Sequence, residues 1–490
     1  MTTTTHELDN RLDHHRARID DLIDRYGEPL HVLFLDRMAE NANAFRAVAQ
    51  ATYPKMLVAF SVKSNPCRGA VRASARLGLG VDVASEHELQ LALEERIEPS
   101  MILCNGNAKS RIYLEMAIEA GCPIAVDNGD EMLALEYLLG ESDRSAEVLL
   151  RFRGMPLAGL TSDDQTTAAD WTKFGFHIDE APRLLDRLAD HPTLRFRGIS
   201  AHIGTQISDP SGYQRLLDHL LDLAATAQSR GLHIDTIDIG GGFPVNFLSE
   251  DDWAAFQRRL LRRLRGQADH SHAVTWNDIP MGYASSSDDV DPTWVGKAYW
   301  SRFPISRMLA HLLESATSAG PCVADRLREL GEPTLVIEPG RSMMANAGIT
   351  LTKVMGVKQV LGNPVVALDM GINNHGTNLI TPDLFPAAVL PRHSSDEPVE
   401  AFLAGRLCFS GDMISKAKVR LNRLPVRGDR FVLYHTGAYN ADHFASNSCG
   451  FPRPAKVTID ADGSAELWRA PETFALLYGD PSIDLTIRDA

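Results

Sequence analysis

The chain has 490 residues, of which 44% are hydrophobic and 23% charged, which is typical of a globular protein of two domains or of one large barrel with an appendage. Its net charge of −15 argues against nucleic acid and anionic membranes as partners. The N-terminus has no apolar signal segment, no run approaches a membrane span, and the six cysteines show neither a CxxC pair nor zinc spacing. We therefore expect a cytoplasmic protein with reduced thiols and no metal site.

The first elements in chain order are a charged helical pattern at 8–26 and a strand-like stretch at 30–36. Beyond them, short β-forming runs recur with helical segments in the gaps. The eight runs are MLVAFSVK (56–63), LGVDVAS (79–85), MILCNG (101–106), PIAVDN (123–128), EVLLRFR (147–153), FRGISAHIG (196–204), IDTIDIGGG (234–242) and TLVIEPGR (334–341). Strands that alternate with helices predict a parallel sheet, and eight such units predict an α/β fold of the (β/α)8 barrel type.

Two of the intervening segments have clear helical signals. In residues 84–96, Ser85 and Glu88 fit a capping box, and residues 213–231 are apolar at helical spacing and end at Gly231. A long insertion at about 246–333 interrupts the rhythm. Its Trp-, Ser- and Asp-rich part at 275–300 is interpreted as a partly ordered loop, which either packs over the barrel mouth or is a solvated excursion.

The pattern changes after the last barrel run, where helical periodicity nearly disappears. Strands are predicted at 349–361, 364–371, 430–439 and within 455–470, which indicates a second, mostly antiparallel β domain. The predicted domains are an N-terminal helix and strand at 1–36 that contribute to the β domain, the barrel with its insertion at 37–345, and the β domain at 346–490.

Polar residues close all eight runs, and the lysine that ends the first run is the least expected of them. Lys63 either meets water at the surface or is held in a site because its amine does covalent chemistry. In a parallel barrel all strands end at one face, where catalytic groups gather. The residues at the carboxyl ends of the runs are Lys63, Ser85, Asn105, Asp127, Asn128, Arg151, His202, Gly240, Gly241, Gly242, Glu338, Gly340 and Arg341.

Two neighbouring strand ends predict a phosphate site. The turn GGG (240–242) follows the seventh run and EPGR (338–341) the eighth, and this fold usually binds phosphate after strands 7 and 8. Glycine N–H groups and Arg341 suit a phosphate, although a tight turn that needs positive φ would account for one of the glycines. A phosphate, a lysine amine and a carboxylate in one barrel mouth suggest pyridoxal phosphate. His202 either stacks on that cofactor or is a core residue bonded to backbone.

The chain resembles the fold type III pyridoxal-phosphate enzymes, specifically the decarboxylases that act on diaminopimelate, ornithine or arginine. The matching stretches, in the family's order, are YGEPLHV (26–32), AFSVKSNP (59–66), GLGVDVASEHEL (78–89), NGNAKS (105–110), TKFGF (172–176), AHIGTQ (201–206), DIGGGFPV (238–245), IEPGRSM (337–343), CFSGD (408–412), GAY (437–439) and GFPRP (450–454). The resemblance implies a barrel with a β domain, pyridoxal 5'-phosphate as cofactor, and decarboxylation of an amino acid by a homodimer with active sites at the interface.

The same resemblance implies roles for individual residues. Lys63 would anchor the cofactor covalently, His202 would stack on it, Glu338 would pair with its ring nitrogen, and Cys408 would reprotonate the substrate carbon. The other implied cofactor contacts are Asp82, Arg151, Thr205, Gly240, Gly241, Gly242, Gly340, Arg341 and Tyr439. The implied substrate contacts are Phe409, Asp412 and His375, with Cys408 and Asp412 reaching in from the partner subunit.

Two departures from the family pattern concern the substrate. Phe409 stands where diaminopimelate and ornithine decarboxylases carry a carboxylate, and Thr377 stands where an arginine of the diaminopimelate enzymes would fall. Both changes remove charges that read the distal end of a charged substrate, so meso-diaminopimelate is predicted to be a poor substrate. The alternatives are a racemase or epimerase on the same scaffold, which the CFSGD stretch disfavours, and a non-catalytic regulator, which the presence of Lys63 and the phosphate turn disfavours.

Overall fold

The computed structural model describes residues 3–140, 143–155, 167–267, 273–285, 290–375, 384–440, 442–443 and 446–479. The chain forms two compact units. The barrel unit comprises residues 36–253 and 282–345, and the β-rich unit comprises residues 1–35, 254–281 and 346–490. Within the described ranges, none of the helices is long and apolar enough to cross a membrane.

The secondary structure follows the strand and helix alternation of the sequence. The strands are β1 Leu30–Phe34, β2 Met56–Ser61, β3 Gly80–Val83, β4 Ile102–Cys104, β5 Ile124–Val126, β6 Ala146–Arg153, β7 Phe176–His177, β8 Leu194–Ser200, β9 Thr236–Asp238, β10 Tyr283–Ser285, β11 Val290–Trp294, β12 Thr334–Ile337, β13 Gly348–Val360, β14 Asn363–Leu368, β15 Ala387–Leu390, β16 Val399–Ala404, β17 Met413–Leu421, β18 Arg430–Tyr434, β19 Ala455–Ile459 and β20 Ala465–Arg469. The helices are α1 Thr3–His14, α2 Arg16–Tyr26, α3 Leu35–Thr52, α4 Arg68–Arg76, α5 Glu86–Glu94, α6 Arg111–Ala120, α7 Gly129–Gly140, α8 Ala181–Ala189, α9 Pro210–Ser229, α10 Glu250–Leu264, α11 Ser306–Glu314, α12 Val323–Glu329, α13 Arg341–Met344 and α14 Phe474–Tyr478.

Eight strands of the barrel unit close into a parallel barrel. Their order around the barrel is β2, β3, β4, β5, β6, β8, β9 and β12, and β12 pairs back onto β2. Each of the eight predicted runs overlaps one of these strands, so the predicted barrel is confirmed. Because the strands are parallel, the residues that follow them meet at one face of the barrel.

The helices between the strands begin and end with local signals. Ser85 accepts a hydrogen bond from the N–H of Glu88 at 3.2 Å and caps α5, as predicted. The Glu88 carboxylate returns to the N–H of Ala84 at 2.8 Å, one residue before the partner that a capping box would use. Asp209 caps α9, which begins at Pro210, somewhat earlier than the predicted segment.

The β-rich unit is built on a nine-stranded, mostly antiparallel sheet. Strand β13 is its longest and pairs in antiparallel fashion with β1, β14 and β18, whereas β1 pairs in parallel with β19. Helices α1 and α2 cover β1 and β13 with buried apolar residues, which include Leu8, Leu12, Ile19, Leu22 and Ile23. The second β domain that the sequence predicts is therefore present, and the N-terminal segment packs in the same core.

The insertion is more ordered than the sequence analysis expects. Residues 250–264 form α10, with three acidic residues in the first turn and two arginines in the last, a distribution that complements the helix dipole. Within 275–300, the predicted partly ordered loop, strands β10 and β11 pair in antiparallel fashion, with Tyr283 opposite Trp294. The aromatic residues there are packed, because the Trp253 and Tyr283 rings each lie 4.9 Å from that of Trp294.

The later part of the insertion is tied to the chain that follows β9. The carbonyl of Tyr299 accepts hydrogen bonds from the N–H groups of Phe247 at 3.0 Å and Leu248 at 3.1 Å. The N–H of Ile305 donates to the carbonyl of Pro244 at 2.8 Å. This part of the insertion is therefore bonded to the segment that leaves the glycine turn, and its packing over the barrel mouth stays a prediction. Residues 254–281 group with the β-rich unit instead of the barrel.

Candidate active site

Lys63 lies at the carboxyl-terminal face of the barrel, in a short turn directly after β2. Its Nζ donates to Oδ2 of Asp82 at 2.7 Å. The lysine side chain is 43% exposed, whereas that of Asp82 is completely buried. The amine is therefore held at the barrel mouth by a carboxylate that lies inside the barrel.

Asp82 receives two further hydrogen bonds. Ser61 Oγ donates to Oδ2 and Asn105 Nδ2 donates to Oδ1, both at 2.7 Å. Burial alone would raise the pKa of Asp82, but Lys63, Ser61 and Asn105 stabilise the carboxylate and lower the pKa below its usual value. Asp82 is thus a charged partner for the lysine.

Asn105 connects this pair to a second buried acid. Its Nδ2 also donates to Oε1 of Glu338 at 2.6 Å. Burial, together with the nearby charges of Asp238 and Asp82, raises the pKa of Glu338 well above its usual range. Glu338 is therefore protonated in the barrel interior. A protonated carboxyl group can share its proton with a ring nitrogen.

The His202 ring is oriented by one residue, Thr167. Thr167 Oγ1 donates to the carbonyl of His202 at 2.6 Å and lies 2.8 Å from Nδ1. Because the hydroxyl has one proton, which goes to the carbonyl, Nδ1–H donates to the hydroxyl and Nε2 carries the free lone pair. Burial, reinforced by Lys63 and Arg151, lowers the pKa of His202 to about 3, so the ring is neutral.

All three glycines of the turn at 240–242 are sterically required. A Cβ on Gly240 would lie 2.7 Å from the His202 ring, one on Gly241 would lie 2.4 Å from the carbonyl oxygen of Glu338, and one on Gly242 would lie 2.6 Å from the carbonyl oxygen of Gly204. Gly240 and Gly242 also have positive φ, at 66° and 94°. A tight turn with positive φ, which would require only one glycine, therefore does not explain why all three residues are glycine.

The same turn presents backbone donors. The N–H of Gly240 donates to Oδ1 of Asp238 at 2.8 Å. Within the described part of the chain, the N–H groups of Gly241 and Gly242 donate to no protein acceptor. Gly241 is buried, so its N–H is an unsatisfied donor beside the barrel mouth, which suits an anion.

The other predicted cofactor contacts of the barrel unit lie around these groups. Arg151 is buried, with its guanidinium 4.4 Å from the Phe174 ring centroid and 3.8 Å from Asp127. Gly340 precedes α13 and Arg341 is its first residue, a short distance along the chain from Glu338 and the end of β12. Thr205 is half-buried in the segment after β8, where the following residue, Gln206, has a positive φ of 54°.

Two residues that were not predicted as site residues, Tyr213 and Gln206, hold the turn in place. Tyr213 donates from its hydroxyl to the carbonyl of Gly241 at 2.5 Å. Gln206 donates to the carbonyl of Val245 at 2.6 Å and accepts from its N–H at 3.1 Å. Gln206 also donates to the carbonyl of Ala298 in the insertion at 3.1 Å, so the insertion and the turn share a brace. The signal for Gln206 was present, because it ends the AHIGTQ stretch.

The CFSGD loop belongs to the β-rich unit. Cys408, Phe409 and Ser410 are exposed, and Phe409 is 54% exposed. Asp412 is turned inward and buried: its Oδ1 accepts from the N–H of Ile372 and its Oδ2 from the N–H of Leu407, both at 2.7 Å. This geometry does not support the prediction that Asp412 contacts a substrate, because both carboxylate oxygens accept hydrogen bonds from backbone N–H groups of the same unit.

Two further predicted site residues lie in the β-rich unit. His375 is fully buried, with its ring 4.3 Å from that of Phe385, which places it in the interior of the unit instead of on an exposed surface. Tyr439 is half-buried, adopts a positive φ of 59°, and its ring contacts that of His443 at 5.2 Å. For a tyrosine such a φ is strained, which is common at functional sites. Thr377 lies outside the described residues, and the roles of His375 and Tyr439 stay predictions.

The barrel-unit residues fit pyridoxal phosphate. The lysine amine suits its aldehyde, the glycine turn with unsatisfied N–H groups and the nearby Arg341 suit its phosphate, and the protonated Glu338 suits its ring nitrogen. Among the residues that the structure describes, no group of three or more histidine, cysteine, aspartate or glutamate side chains is placed to hold a metal ion.

Comparison with known proteins gives a consistent result. The family described as "Pyridoxal-dependent decarboxylase, pyridoxal binding domain" matches residues 38–274. The chain is 27% identical to a diaminopimelate decarboxylase of Zymomonas mobilis, over 94% of each protein, and 28% identical to an uncharacterised Sinorhizobium fredii protein, y4yA, over 92% of this chain and 91% of that one. It shares its fold with diaminopimelate decarboxylase of M. jannaschii, with a TM-score of 0.75, 22% identity and 94% of each chain covered.

The steric argument for the glycine turn leads to a first prediction. Gly241→Ala should lower the free energy of unfolding by about 1–3 kcal/mol, because the new methyl group meets a backbone carbonyl that cannot rotate away. Gly129→Ala is the matched control, since a Cβ there has no neighbour within 4 Å and the φ is not positive. Urea unfolding of both variants measures the effect, and equal midpoints for the two would contradict the argument.

Proposed function

We propose that this chain, which belongs to the fold type III family of pyridoxal-phosphate-dependent decarboxylases, removes the carboxylate of an α-amino acid in the site around Lys63. The observation that carries the proposal is the pairing of Lys63 with a buried aspartate beside a glycine turn whose N–H groups lack protein acceptors. A covalent lysine and an anion cradle in one barrel mouth are what this cofactor requires.

Each polar residue of the barrel would have its own role in holding the cofactor. When bound, pyridoxal phosphate supplies an electron sink for the carbon from which carbon dioxide leaves. Asp82 holds the Lys63 amine in place, and Glu338, steadied by Asn105, holds the proton for the ring nitrogen. His202, neutral and oriented by Thr167, offers a flat face beside Gly240. Arg341 and the N–H groups of Gly241 and Gly242 would bind the phosphate of the cofactor.

The proton that replaces the carboxylate would come from Cys408. Its loop is rigid at the base, because Asp412 binds two backbone N–H groups, and exposed at the tip. An exposed thiol and phenyl ring on a braced loop suit a contact with a second subunit, so we propose a homodimer in which Cys408 acts on the partner's cofactor.

The substrate proposal rests on the tip of this loop. Residues 408–411 present a thiol, a phenyl ring and a hydroxyl but no carboxylate, and Asp412 is turned away. A distal ammonium group would lose a charge-assisted hydrogen bond of about 2 kcal/mol there, and cation–π attraction would return roughly 1 kcal/mol. We propose a substrate whose distal group is apolar or otherwise different from that of diaminopimelate. The names of the relatives favour diaminopimelate itself, so it is the first compound to test.

A racemase and a non-catalytic regulator were the alternatives from the sequence. The matching family and the relatives named here for an activity are decarboxylases, so neither alternative is favoured.

The cofactor proposal predicts where reduction will trap the cofactor. Protein incubated with pyridoxal phosphate should turn yellow, and borohydride should then fix the pyridoxyl group on the peptide that contains Lys63. Lys173, which lies 5.2 Å from the Phe174 ring in the same unit, is an internal control and should stay unlabelled. Mass spectrometry decides, and labelling elsewhere or no uptake of the cofactor would refute the proposal.

The dimer proposal predicts complementation between two inactive variants. Lys63→Ala and Cys408→Ala should each be nearly inactive, and subunit exchange should restore up to about a quarter of wild-type activity, because random pairing leaves one intact site in half of the dimers. Activity after mixing is the measurement, and mixtures of each variant with itself are the controls. No recovery despite proven exchange would show that each subunit builds its own site.

The substrate proposal predicts a low kcat/KM for meso-diaminopimelate, up to about tenfold below that for the best neutral amino acid. Phe409→Glu should raise the diaminopimelate value, because it adds a carboxylate at the loop tip, whereas the control Phe409→Leu should not. Steady-state kinetics with diaminopimelate, lysine, ornithine, arginine and neutral amino acids measure this. Turnover of diaminopimelate above all other compounds would overturn the substrate proposal and leave the reaction type standing.

A further inference from the structure

Asp238 is a buried acid that the sequence motifs did not mark as a site residue. It is 1% exposed and ends β9, directly before the glycine turn. Its Oδ1 accepts from the N–H of Gly240 at 2.8 Å, and its Oδ2 accepts from Ser200 Oγ at 3.1 Å. One carboxylate therefore ties the end of β8 to the turn that faces the phosphate position.

Asp238 also lies beside Glu338. In the register between β9 and β12, Asp238 pairs with Val336, and side chains alternate along a strand, so Glu338 projects from the neighbouring strand to the same side as Val336. The N–H of Glu338 donates to the carbonyl of Gly240 at 2.9 Å, which keeps the two strand ends in contact.

The electrostatics of the two acids are linked. Burial raises the pKa of Asp238 to about 6, against which the hydrogen bonds from Gly240, Glu338 and Ser200 act. Burial, followed by the charge of Asp238, raises the pKa of Glu338. At pH 8 Asp238 is therefore the charged member of the pair, and Glu338 holds the proton.

We propose that Asp238 is a positioning residue for the cofactor: its negative charge, acting through Glu338, keeps a proton on the ring nitrogen of bound pyridoxal phosphate, while its hydrogen bond to Gly240 holds the phosphate turn. The inference rests on the proposed function. The inference gives a role to the buried carboxylate of Asp238. The pairing of Glu338 with the ring nitrogen does not by itself explain why that second acid is there.

The test separates the charge from the shape. Asp238→Asn keeps an oxygen for the Gly240 N–H and an N–H₂ group that can donate to Ser200 Oγ, but it removes the charge. At pH 8 the variant, stripped of cofactor and titrated, should bind pyridoxal phosphate about tenfold more weakly than wild type. Its affinity for 1-deazapyridoxal phosphate, which has carbon in place of the ring nitrogen, should change less than about twofold, because that analogue has no nitrogen to protonate.

Two further variants test the route through Glu338. Glu338→Gln should also lose the preference for pyridoxal phosphate over the deaza analogue, and Asp238→Asn combined with it should bind no more weakly than Glu338→Gln alone. Ser200→Ala removes a hydrogen bond from Asp238 but no charge, so its preference should stay near that of wild type. Ser74→Ala, a buried serine bonded to Ala70 within α4, controls for the loss of a buried hydroxyl remote from the site.

The possible outcomes are distinct. If Asp238→Asn weakens the binding of pyridoxal phosphate and of its deaza analogue equally, Asp238 only shapes the turn. An unchanged affinity of Asp238→Asn for pyridoxal phosphate would also overturn the inference. So would additive losses of affinity in the double variant. If Asp238→Asn does not fold, as judged by circular dichroism, Asp238→Ser takes its place, since it also removes the charge and leaves room for water. Failure of the wild type to bind pyridoxal phosphate at Lys63 would instead refute the proposed function, which keeps the two failures apart.

Discussion

The hydrogen-bonded ion pair between Lys63 and Asp82 determines the arrangement of the barrel's polar end. A carboxylate that is fully buried costs several kcal/mol unless its oxygens are satisfied. Three donors supply what Asp82 needs, two from the end of β2 and its turn and one from the segment after β4. One of those donors, Asn105, also binds Glu338, so the position of the lysine and the position of the second acid are set together. The remaining site residues are arranged around these two carboxyl groups.

The glycine turn after β9 completes the same arrangement next to Glu338, which follows the neighbouring strand β12. It passes so close to His202 and to the backbone of Glu338 that no side chain fits, and this proximity leaves backbone donors facing the barrel mouth. Asp238 joins the turn to the acids, at the cost of placing a third carboxyl group in one buried layer. Barrel interiors are usually filled by branched apolar residues. The acids, amides and hydroxyls in this barrel therefore lower the stability that apolar packing would provide, and they supply the groups that the proposed reaction needs.

The β-rich unit contributes a different kind of element. Its CFSGD loop uses its carboxylate for its own stability and exposes the residues before it. In the proposed function, the loop acts through Cys408 and Phe409, and the exposed phenyl ring would face the distal end of the substrate. Because the relatives named for diaminopimelate differ from this chain at more than two-thirds of the aligned positions, their names do not decide the substrate.

The sequence by itself determined the barrel, the mostly antiparallel second sheet, the cap of α5 and the placement of Lys63, Glu338 and the glycine turn at strand ends, because these follow from local periodicity and from the parallel direction of the strands. Only the tertiary structure decided which side chains bind one another in the site. Asn105 and Glu338 are 233 residues apart in the chain, and closure of the barrel brings them to 2.6 Å. The inward turn of Asp412, the link from Thr167 to His202 and the role of Asp238 depend in the same way on contacts between distant strands and loops, which no local pattern of residues encodes.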